Sequence, residues 1–426
     1  MLTIMTLVFV LLLGLGMPIA ACMGLTALSA ILLRGDIPLE VIAHRMVMGV
    51  DSFPLLAVPF FILAGSLMNT GGITDRLVRL ANALVGHLTG GLGHVVVVTN
   101  MIMAGMSGSA VADAAGTGSV LIPAMIRNGF SPSFAAAVTA AASTIGPIIP
   151  PSIPFVLYGI LANVSIGQLF LGGAIPGVLM GMYLMSVIYI LSKRRGYHRG
   201  EKGTRNRLGA ALKEGVPALL LPVIILWGIV GGAVTPTEAA AIAVLYALFL
   251  GCVVYRELTP RSLVRAIGEA ALTTGIIMFI LAAACVLAWI LAREQAGPAL
   301  VNMVTAMTTN AGTVLLLLNV ALLVLGCFLE TLSVMILLVP VLLPLIKALG
   351  IDPVHFGVVF TLNLMIGLIT PPVGMSMFIS SSIAGIQVTE FAREIYPFVG
   401  ALLLVLVTIS YFPETVLYLP RLLMGK

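Results

Sequence analysis

Apolar runs of about 20 residues recur along almost the whole chain, and short polar or Gly- and Pro-rich segments separate them. A helix of about that length crosses the roughly 30 Å hydrocarbon core of a bilayer, so the pattern predicts about ten to twelve transmembrane helices. The first run, Met1 to Arg34, has no positive charge ahead of its apolar residues and is much longer than the apolar region of a secretory signal. We therefore predict that it stays in the membrane.

The chain consists of two related halves. A constant offset indicates an internal repeat. At an offset of 221 positions, eight Gly or Pro residues recur: Gly105 and Gly326, Pro123 and Pro344, Gly129 and Gly350, Pro132 and Pro353, Gly146 and Gly367, Pro150 and Pro371, Pro151 and Pro372, Pro176 and Pro397. The predicted repeats are 1–192 and 216–426, with a linker at 193–215. Hydropathy alone leaves open whether they are inverted or parallel.

Each half contains two interruptions of an apolar run. Polar breaks at 105–118 and 326–333 predict the tips of two re-entrant hairpins, near 105–130 and 326–350. The stretches IGPIIPPS at 145–152 and IGLITPPVG at 366–374 predict broken transmembrane helices. Such breaks are tolerated at membrane depth only where protein or a watery cavity covers the backbone.

Two amphipathic segments resemble each other in the two halves. They are IPLEVIAHRMVMGVDS from Ile37 and TPRSLVRAIGEAALTT from Thr259. Each places a proline at the first helical position and mixes Arg and Glu with apolar residues, so we predict arm helices that lie along the membrane surface.

Composition places the chain in a membrane, because 60% of its residues are hydrophobic and only 9% are charged, against about a quarter charged in soluble domains. The segment 193–213 carries eight Lys or Arg. A short basic loop between membrane spans is typical of the cytoplasmic side, which we favour over nucleic-acid binding. The four cysteines lie inside apolar runs without a CxxC pattern, so neither a metal site nor a disulfide is predicted.

The breaks are the predicted places for chemistry. A broken helix leaves carbonyls and amides free at its half-ends, and secondary transporters use such ends to hold Na⁺ and anionic substrates. Hydroxyls supply further oxygen ligands for a hard cation. Alternatively, each hydroxyl bonds a preceding carbonyl of its own helix. The candidate hydroxyls are those of Ser107, Ser109, Ser143, Thr144, Ser152, Thr331, Ser333 and Thr370.

Acidic residues in apolar surroundings are costly and indicate function. Asp113 and Glu330 each have three interpretations: a cation ligand, a proton carrier, or a cap on a half-helix. Arg293 follows an apolar run and is a candidate contact for a substrate carboxylate, or else extends to the interface. Ser152 and Ser165 complete the candidate substrate contacts with Asp113 and Arg293.

Four motifs together resemble the large membrane subunit of tripartite ATP-independent periplasmic (TRAP) transporters: TPTEAAA at 235–241, IGPIIPPS at 145–152, ITPPVG at 369–374 and MSGSAVADAAG at 106–116. The resemblance covers the whole chain. It implies a sodium-coupled uptake system for organic acids in a bacterial inner membrane. It also implies inverted repeats and an elevator, in which hairpins and broken helices move against a static scaffold.

The resemblance also implies partners and ligands. The partners are a periplasmic solute-binding protein and a small four-span membrane subunit, which we expect to be a separate chain because no such sequence precedes Met1. The implied cargo is Na⁺, two or more ions, with a carboxylate substrate. The implied sodium ligands are Ser107, Gly108, Ser109, Gly146 and Pro150 in the first repeat, and Glu330, Thr331, Ser333, Gly367, Thr370 and Gly374 in the second.

Two other functions compete with this one. The segment GMSG at 105–108 fits the GxSG of intramembrane serine proteases, but such an enzyme needs a histidine at membrane depth. None of the five histidines is central in an apolar run, so the chain is predicted not to be an enzyme. The nearer alternative is a stand-alone sodium and dicarboxylate symporter of the same architecture, which needs no binding protein.

Overall fold

The structure, a computed structural model, describes residues 1–197, 199 and 205–425, and it is built from α-helices. The first half contains ten helices: α1 Leu2–Gly14, α2 Ile19–Arg34, α3 Glu40–Val50, α4 Ala57–Thr70, α5 Ile73–Val85, α6 Gly91–Ser107, α7 Ala110–Arg127, α8 Pro132–Ser143, α9 Ile153–Ala162 and α10 Ile166–Arg195. The second half contains ten more: α11 Arg205–Val230, α12 Pro236–Phe249, α13 Pro260–Arg293, α14 Ala296–Met307, α15 Ala311–Phe328, α16 Thr331–Ala348, α17 Pro353–Gly367, α18 Met375–Ala384, α19 Val388–Tyr411 and α20 Glu414–Met424.

Eight helical segments among the described residues are long and apolar enough to cross a membrane. Two of them include an irregular turn, a 3₁₀ turn at Phe53–Leu56 before α4 and a π-helical turn at Leu250–Val254 after α12. Seven further apolar helices are shorter, including both halves of the second broken helix. The prediction of a polytopic helical membrane protein is confirmed.

Both hairpins and both broken helices are present. Hairpin 1 consists of α6 and α7 with its tip at Gly108 and Ser109, and hairpin 2 consists of α15 and α16 with its tip at Leu329 and Glu330. The tips are shorter than the predicted breaks, because helix α6 continues through Gly105 to Ser107. The first broken helix is interrupted between α8 and α9, and the second between α17 and α18.

One end of the bundle is marked by the contact between Tyr197 and Ser131. The Tyr197 hydroxyl lies 3.3 Å from both the backbone nitrogen and Oγ of Ser131. Ser131 caps α8 at the base of hairpin 1, and Tyr197 follows α10. The base of hairpin 1 therefore lies at the end of the bundle where the first repeat finishes.

The base of hairpin 2 lies at the opposite end. Helix α10 has 30 residues and is about 45 Å long at 1.5 Å per residue, so its start, which follows α9, lies far from Tyr197. On α9, the Tyr158 hydroxyl donates to the Pro353 carbonyl at 2.7 Å, and Pro353 begins α17 just after hairpin 2. The hairpins thus enter from opposite ends, which is the arrangement of inverted repeats.

Two sequence predictions need correction. The second arm helix is not a separate element, because TPRSLVRAIGEAALTT continues without a break into the following span as the 34-residue helix α13. The first arm is separate, as α3. The predicted linker 193–215 is also shorter, since α10 includes 193–195 and α11 begins at Arg205. Positions 198 and 200–204 of the basic segment lie outside the described residues.

The opposite positions of the hairpin bases give a labelling prediction. A cysteine at Arg127 should be shielded from an impermeant thiol reagent added to intact cells, whereas one at Lys347 should react, because positive loops mark the cytoplasmic side and Arg127 shares its end with the basic segment. Labelling of permeabilised cells is the control for reactivity at both positions. Equal labelling of the two positions in intact cells would contradict the inverted arrangement.

Candidate functional site

A cavity of about 640 Å³ lies where the two hairpin tips meet. Ser107, Gly108 and Ser109 line it from hairpin 1, and Glu330, Thr331 and Ser333 from hairpin 2. Its volume lies within the usual range for sites that enclose a small molecule. Residues 221 positions apart have therefore converged on one space from opposite ends of the bundle.

Four helices begin at this cavity. Ala110 of α7, Ile153 of α9, Thr331 of α16 and Met375 of α18 all line it, and each is the first residue of its helix. A helix N-terminus presents unpaired amides and roughly half a positive charge. Among the described lining residues there is no Lys, Arg or His, so these four ends are the positive groups that face the cavity.

The tip of hairpin 1 packs against the first broken helix. Gly108 adopts φ +58°, and a Cβ atom there would lie 3.1 Å from both the Ile153 nitrogen and the Pro151 carbonyl oxygen. Glycine is therefore required both for the backbone conformation and for the close approach. Ser109 Oγ accepts from Ala112 N at 3.4 Å and caps α7, while Ser107 Oγ accepts weakly from Ser109 N at 3.5 Å.

Asp113 lies behind this tip, beside the break of the first broken helix. Its side chain is completely buried, and neither carboxylate oxygen has a hydrogen-bond partner among the described residues. A Cβ atom on Gly146 would overlap Oδ2 of Asp113. An uncompensated buried carboxylate is costly, so a cation or a proton at this position would stabilise it.

The tip of hairpin 2 is organised by Glu330. Its Oε2 accepts from Ser333 N at 3.0 Å and from Ser333 Oγ at 3.2 Å, so Glu330 caps α16. Both of these contacts use one oxygen, which leaves Oε1 for another ligand. Thr331 Oγ1 is buried and has no partner among the described residues.

The second broken helix approaches hairpin 2 through two glycines. A Cβ atom on Gly367 would overlap the backbone of Gly326, and its distance to the Gly326 oxygen would be 2.6 Å. Gly367 is the repeat counterpart of Gly146, so both breaks use a glycine for contact with their own hairpin. Gly374 closes the break, because a Cβ atom there would overlap the Leu368 carbonyl.

The remaining hydroxyls divide between local bonding and capping. Three hydroxyls donate to carbonyls of their own helices: Ser143 at 2.8 Å, Thr144 at 2.6 Å and Thr370 at 2.7 Å. Their protons are therefore used in local hydrogen bonds, as the alternative interpretation predicted, and their oxygen lone pairs stay available for a cation. Ser152 donates to the Pro147 carbonyl and accepts from Phe155 N at 3.2 Å, which caps α9. Pro150 is buried within the break, with its carbonyl near hairpin 1.

None of the four predicted substrate contacts lines the cavity itself. Asp113 and Ser152 are buried next to the lining residues Ala112 and Ile153, whereas Ser165 and Arg293 lie farther away. Ser165 is exposed, and its Oγ accepts from Gln168 N at 3.3 Å as the cap of α10. Arg293 ends α13, pairs with Asp36 at 2.8 Å and lies over the Trp289 ring. Both side chains are already engaged at the periphery, so the structure does not support these two predictions.

The sequence reading missed the wall that faces the tips. It is formed by α4 and α13, through Ser66, Asn69 and Thr70 and through Glu269 and Thr273. We call these two lining faces the scaffold wall. The available signal was the polar spacing of Glu269 and Thr273, one helical turn apart.

Protease chemistry has no support in this geometry. The two buried histidines bond backbone carbonyls: His94 Nε2 lies 3.2 Å from Thr89 O and His355 Nε2 lies 2.7 Å from Ile409 O. None of the described residues that line the cavity beside Ser107 is a histidine. The described residues also contain no group of three His, Cys, Asp or Glu side chains that could hold a metal ion.

Inverted hairpins that meet broken helices at a cavity are typical of polytopic helical membrane transporters. The YdaH transporter of Alcanivorax borkumensis shares this fold, with a TM-score of 0.67 over 88% of this chain and 89% of that one, at 15% identity. The chain belongs to the family of tripartite ATP-independent periplasmic transporters, DctM component, whose model matches residues 6–415.

Two relatives fall in the same family. The chain is 45% identical over 410 residues to the sialic acid TRAP transporter large permease protein SiaM of Vibrio cholerae, covering 96% of both chains. It is 37% identical over 399 residues to the C4-dicarboxylate TRAP transporter large permease protein DctM of Pseudomonas aeruginosa, covering 94% of this chain and 93% of that one. The resemblance found in the sequence motifs is confirmed.

Proposed function

We propose that this chain is the transport subunit of a sodium-coupled, binding-protein-dependent uptake system for organic acids. The observation that carries the proposal is the convergence of both hairpin tips and four helix N-termini on one cavity. Such ends attract a carboxylate without any basic side chain. The names of the relatives, one for sialic acid and one for C4-dicarboxylates, agree with a carboxylate substrate.

The proposed sodium sites lie at the two tip-and-break junctions. At the first, Asp113 and Ser107 would supply side-chain oxygens beside the carbonyls of the break at Gly146. At the second, Glu330 and Thr331 would do so beside the Gly367 break. Oxygen ligands of this kind suit a hard cation, and the unpartnered oxygens of Asp113 and Thr331 support this assignment.

The proposed movement is an elevator. Hairpins 1 and 2 with the broken helices would form the moving part, and α4 and α13 belong to the part that stays fixed. The cavity lies along α4 from Ile62 to Thr70 and along α13 from Glu269 to Ile280, nearer to the start of α13 than to its end. The Tyr255 hydroxyl, shortly before α13, donates to the Glu214 carbonyl in the early part of α11 at 2.9 Å. Helix α13 therefore begins at the end of the bundle near the basic segment, and we assign this conformation as open toward the cytoplasm.

The proposed partners follow from the family. A periplasmic solute-binding protein would deliver the substrate, and a small membrane subunit would flank the scaffold in a bacterial inner membrane. The stand-alone sodium and dicarboxylate symporter remains the second candidate, since no contact in the cavity separates the two. Membership of the tripartite family favours the first candidate.

Uptake into proteoliposomes tests the proposal. With a candidate binding protein and small subunit present, we expect substrate accumulation only under an inward sodium gradient. A Ser107→Leu/Ser109→Leu double variant should lose at least about tenfold in rate, because two oxygen ligands disappear and the tip is crowded. Ser186→Leu, at an exposed position on α10, is the matched control.

Three results would count against the proposal. Accumulation without sodium would exclude sodium coupling, and accumulation without the binding protein would favour the stand-alone symporter. Unchanged sodium dependence in the double variant would place the first site elsewhere.

A further inference from the structure

The cavity has two chemically different walls. The tips present helix N-termini and hydroxyls, which suit a carboxylate. The scaffold wall presents the Asn69 amide, the Thr70 and Thr273 hydroxyls and the Glu269 carboxylate. A substrate that spans the cavity must therefore place a different kind of group against each wall.

A second carboxylate has no favourable position at the scaffold wall. Glu269 is negatively charged, and the described lining residues include no basic side chain to offset it. Arg265 pairs with Glu269 Oε1 at 2.9 Å, and the two side chains are 81% and 56% exposed. Water weakens such an exposed pair, and Arg265 itself does not line the cavity. Among the described side chains none donates to Oε2 of Glu269. A dicarboxylate would meet this oxygen with like charge.

Hydroxyl groups fit the same wall. A substrate hydroxyl can donate to Glu269 Oε2 and can accept from an amide or another hydroxyl. Asn69 Oδ1 already accepts from Thr74 Oγ1 at 3.3 Å, which leaves the Asn69 amide nitrogen to donate. Thr273 Oγ1 donates to the Glu269 carbonyl at 2.9 Å and keeps its lone pairs for a donor. The wall thus offers both donors and acceptors to a substrate hydroxyl.

We propose that Glu269, Thr273 and Asn69 select a monocarboxylate that carries several hydroxyl groups over a dicarboxylate. The carboxylate binds at the hairpin tips, and the hydroxylated end lies against the scaffold wall. This inference rests on the proposed function, which it narrows to one substrate class. The three residues act as specificity determinants for that site.

Direct binding to the full chain in lipid nanodiscs tests the inference without the binding protein's own selectivity. Gluconate, N-acetylneuraminate and succinate are titrated calorimetrically at fixed, saturating sodium. We expect at least one hydroxylated acid to bind more tightly than succinate. Glu269→Gln should reduce that preference about tenfold, mainly through tighter succinate binding, because a like charge is removed.

Thr273→Val provides a second variant that keeps the side-chain shape and charge. It should weaken the binding of the hydroxylated acid several-fold and leave the affinity for succinate unchanged. Glu414→Gln, at an exposed position on α20, is the charge-matched control and should leave both affinities unchanged. Glu269→Gln is expected to change the affinity for succinate, and Thr273→Val the affinity for the hydroxylated acid. General damage to the fold would weaken the binding of both acids in both variants.

Tighter binding of succinate by the unaltered chain would overturn the inference, as would an unchanged preference in both variants. Failure to bind either hydroxylated acid would also overturn it. The proposed function has its own readout, the sodium dependence of uptake. Sodium-driven uptake together with an unchanged preference in both variants would overturn this inference and leave the proposed function standing.

Discussion

Replacing Gly146 with alanine is expected to reduce sodium-driven uptake strongly while the protein still accumulates in the membrane. The added methyl group would occupy the position of Asp113 Oδ2, and the carboxylate would have to move inside a packed, buried environment. Overpacking of this kind costs about 1–3 kcal/mol, which corresponds to roughly 5- to 150-fold in an equilibrium. The displaced carboxylate would weaken sodium binding at the proposed first site.

The matched control is Gly400→Ala. Gly400 also lies in a helix, α19, and a Cβ atom there meets no heavy atom within 4 Å. Uptake and thermal stability should stay at the level of the unaltered chain. The double variant Gly146→Ala/Asp113→Ala should recover thermal stability without recovering uptake, since the clash is gone but so is the carboxylate. Normal sodium-dependent uptake by Gly146→Ala would show that Asp113 does not act at this junction.

The second large effect is expected at Glu330. In Glu330→Ala, helix α16 loses its cap, which costs about 1 kcal/mol, and the proposed second site loses its carboxylate. We expect the sodium concentration for half-maximal uptake to rise at least about tenfold. Glu330→Gln keeps an acceptor for Ser333 N, so its half-maximal sodium concentration should lie between those of the unaltered chain and Glu330→Ala. Initial uptake rates over a series of sodium concentrations measure the effect.

Glu390→Ala is the control for Glu330, because Glu390 lies in the first turn of α19 and is exposed. Its sodium dependence should match the unaltered chain. If Glu330→Ala kept the same sodium dependence while uptake fell, Glu330 would be only a helix cap. The tip of hairpin 2 would then have a structural role and would not bind sodium through Glu330.

The breaks could be predicted from sequence because backbone chemistry determines them locally. Proline lacks a donor and glycine lacks a Cβ atom, so IGPIIPPS and IGLITPPVG interrupt a helix wherever they occur. The structure interrupts helices at these two stretches. The packing role of Gly146 and Gly367 could not be predicted in the same way, because each contacts a residue on its hairpin more than 30 positions away.

The continuity of α13 could not be predicted from its pattern. The segment from Thr259 mixes Arg and Glu with apolar residues as an interfacial helix does, and a glycine, Gly275, follows directly after it. A Cβ atom at Gly275 would meet nothing, so this glycine is a tolerated helical residue. Local sequence does not distinguish such a glycine from a break.

Arg293 and Ser165 show two different reasons for failure. The partner of Arg293 is Asp36, 257 positions earlier, and no local pattern reveals that contact. The capping role of Ser165 could have been predicted, because Ser followed three residues later by Gln before an apolar run is a helix-start signal. The scaffold wall was missed because Glu269 and Thr273 belong to the segment that was interpreted as a surface arm helix, where polar residues are expected to face water.

Because the two repeats contact each other, the first repeat can complete its packing only after the second repeat has been synthesised. The Tyr158 hydroxyl bonds a carbonyl 195 residues later in the chain, and a methyl group at Gly118 of α7 would meet Ile383 of α18 at 3.2 Å. At about 5–20 residues per second, the ribosome reaches Pro353 roughly 10–40 s after Tyr158. During that interval the first repeat stands in the bilayer with its tyrosine and one face of hairpin 1 uncovered. A nascent chain halted before Pro353 would therefore offer both to other membrane helices and to quality-control proteases.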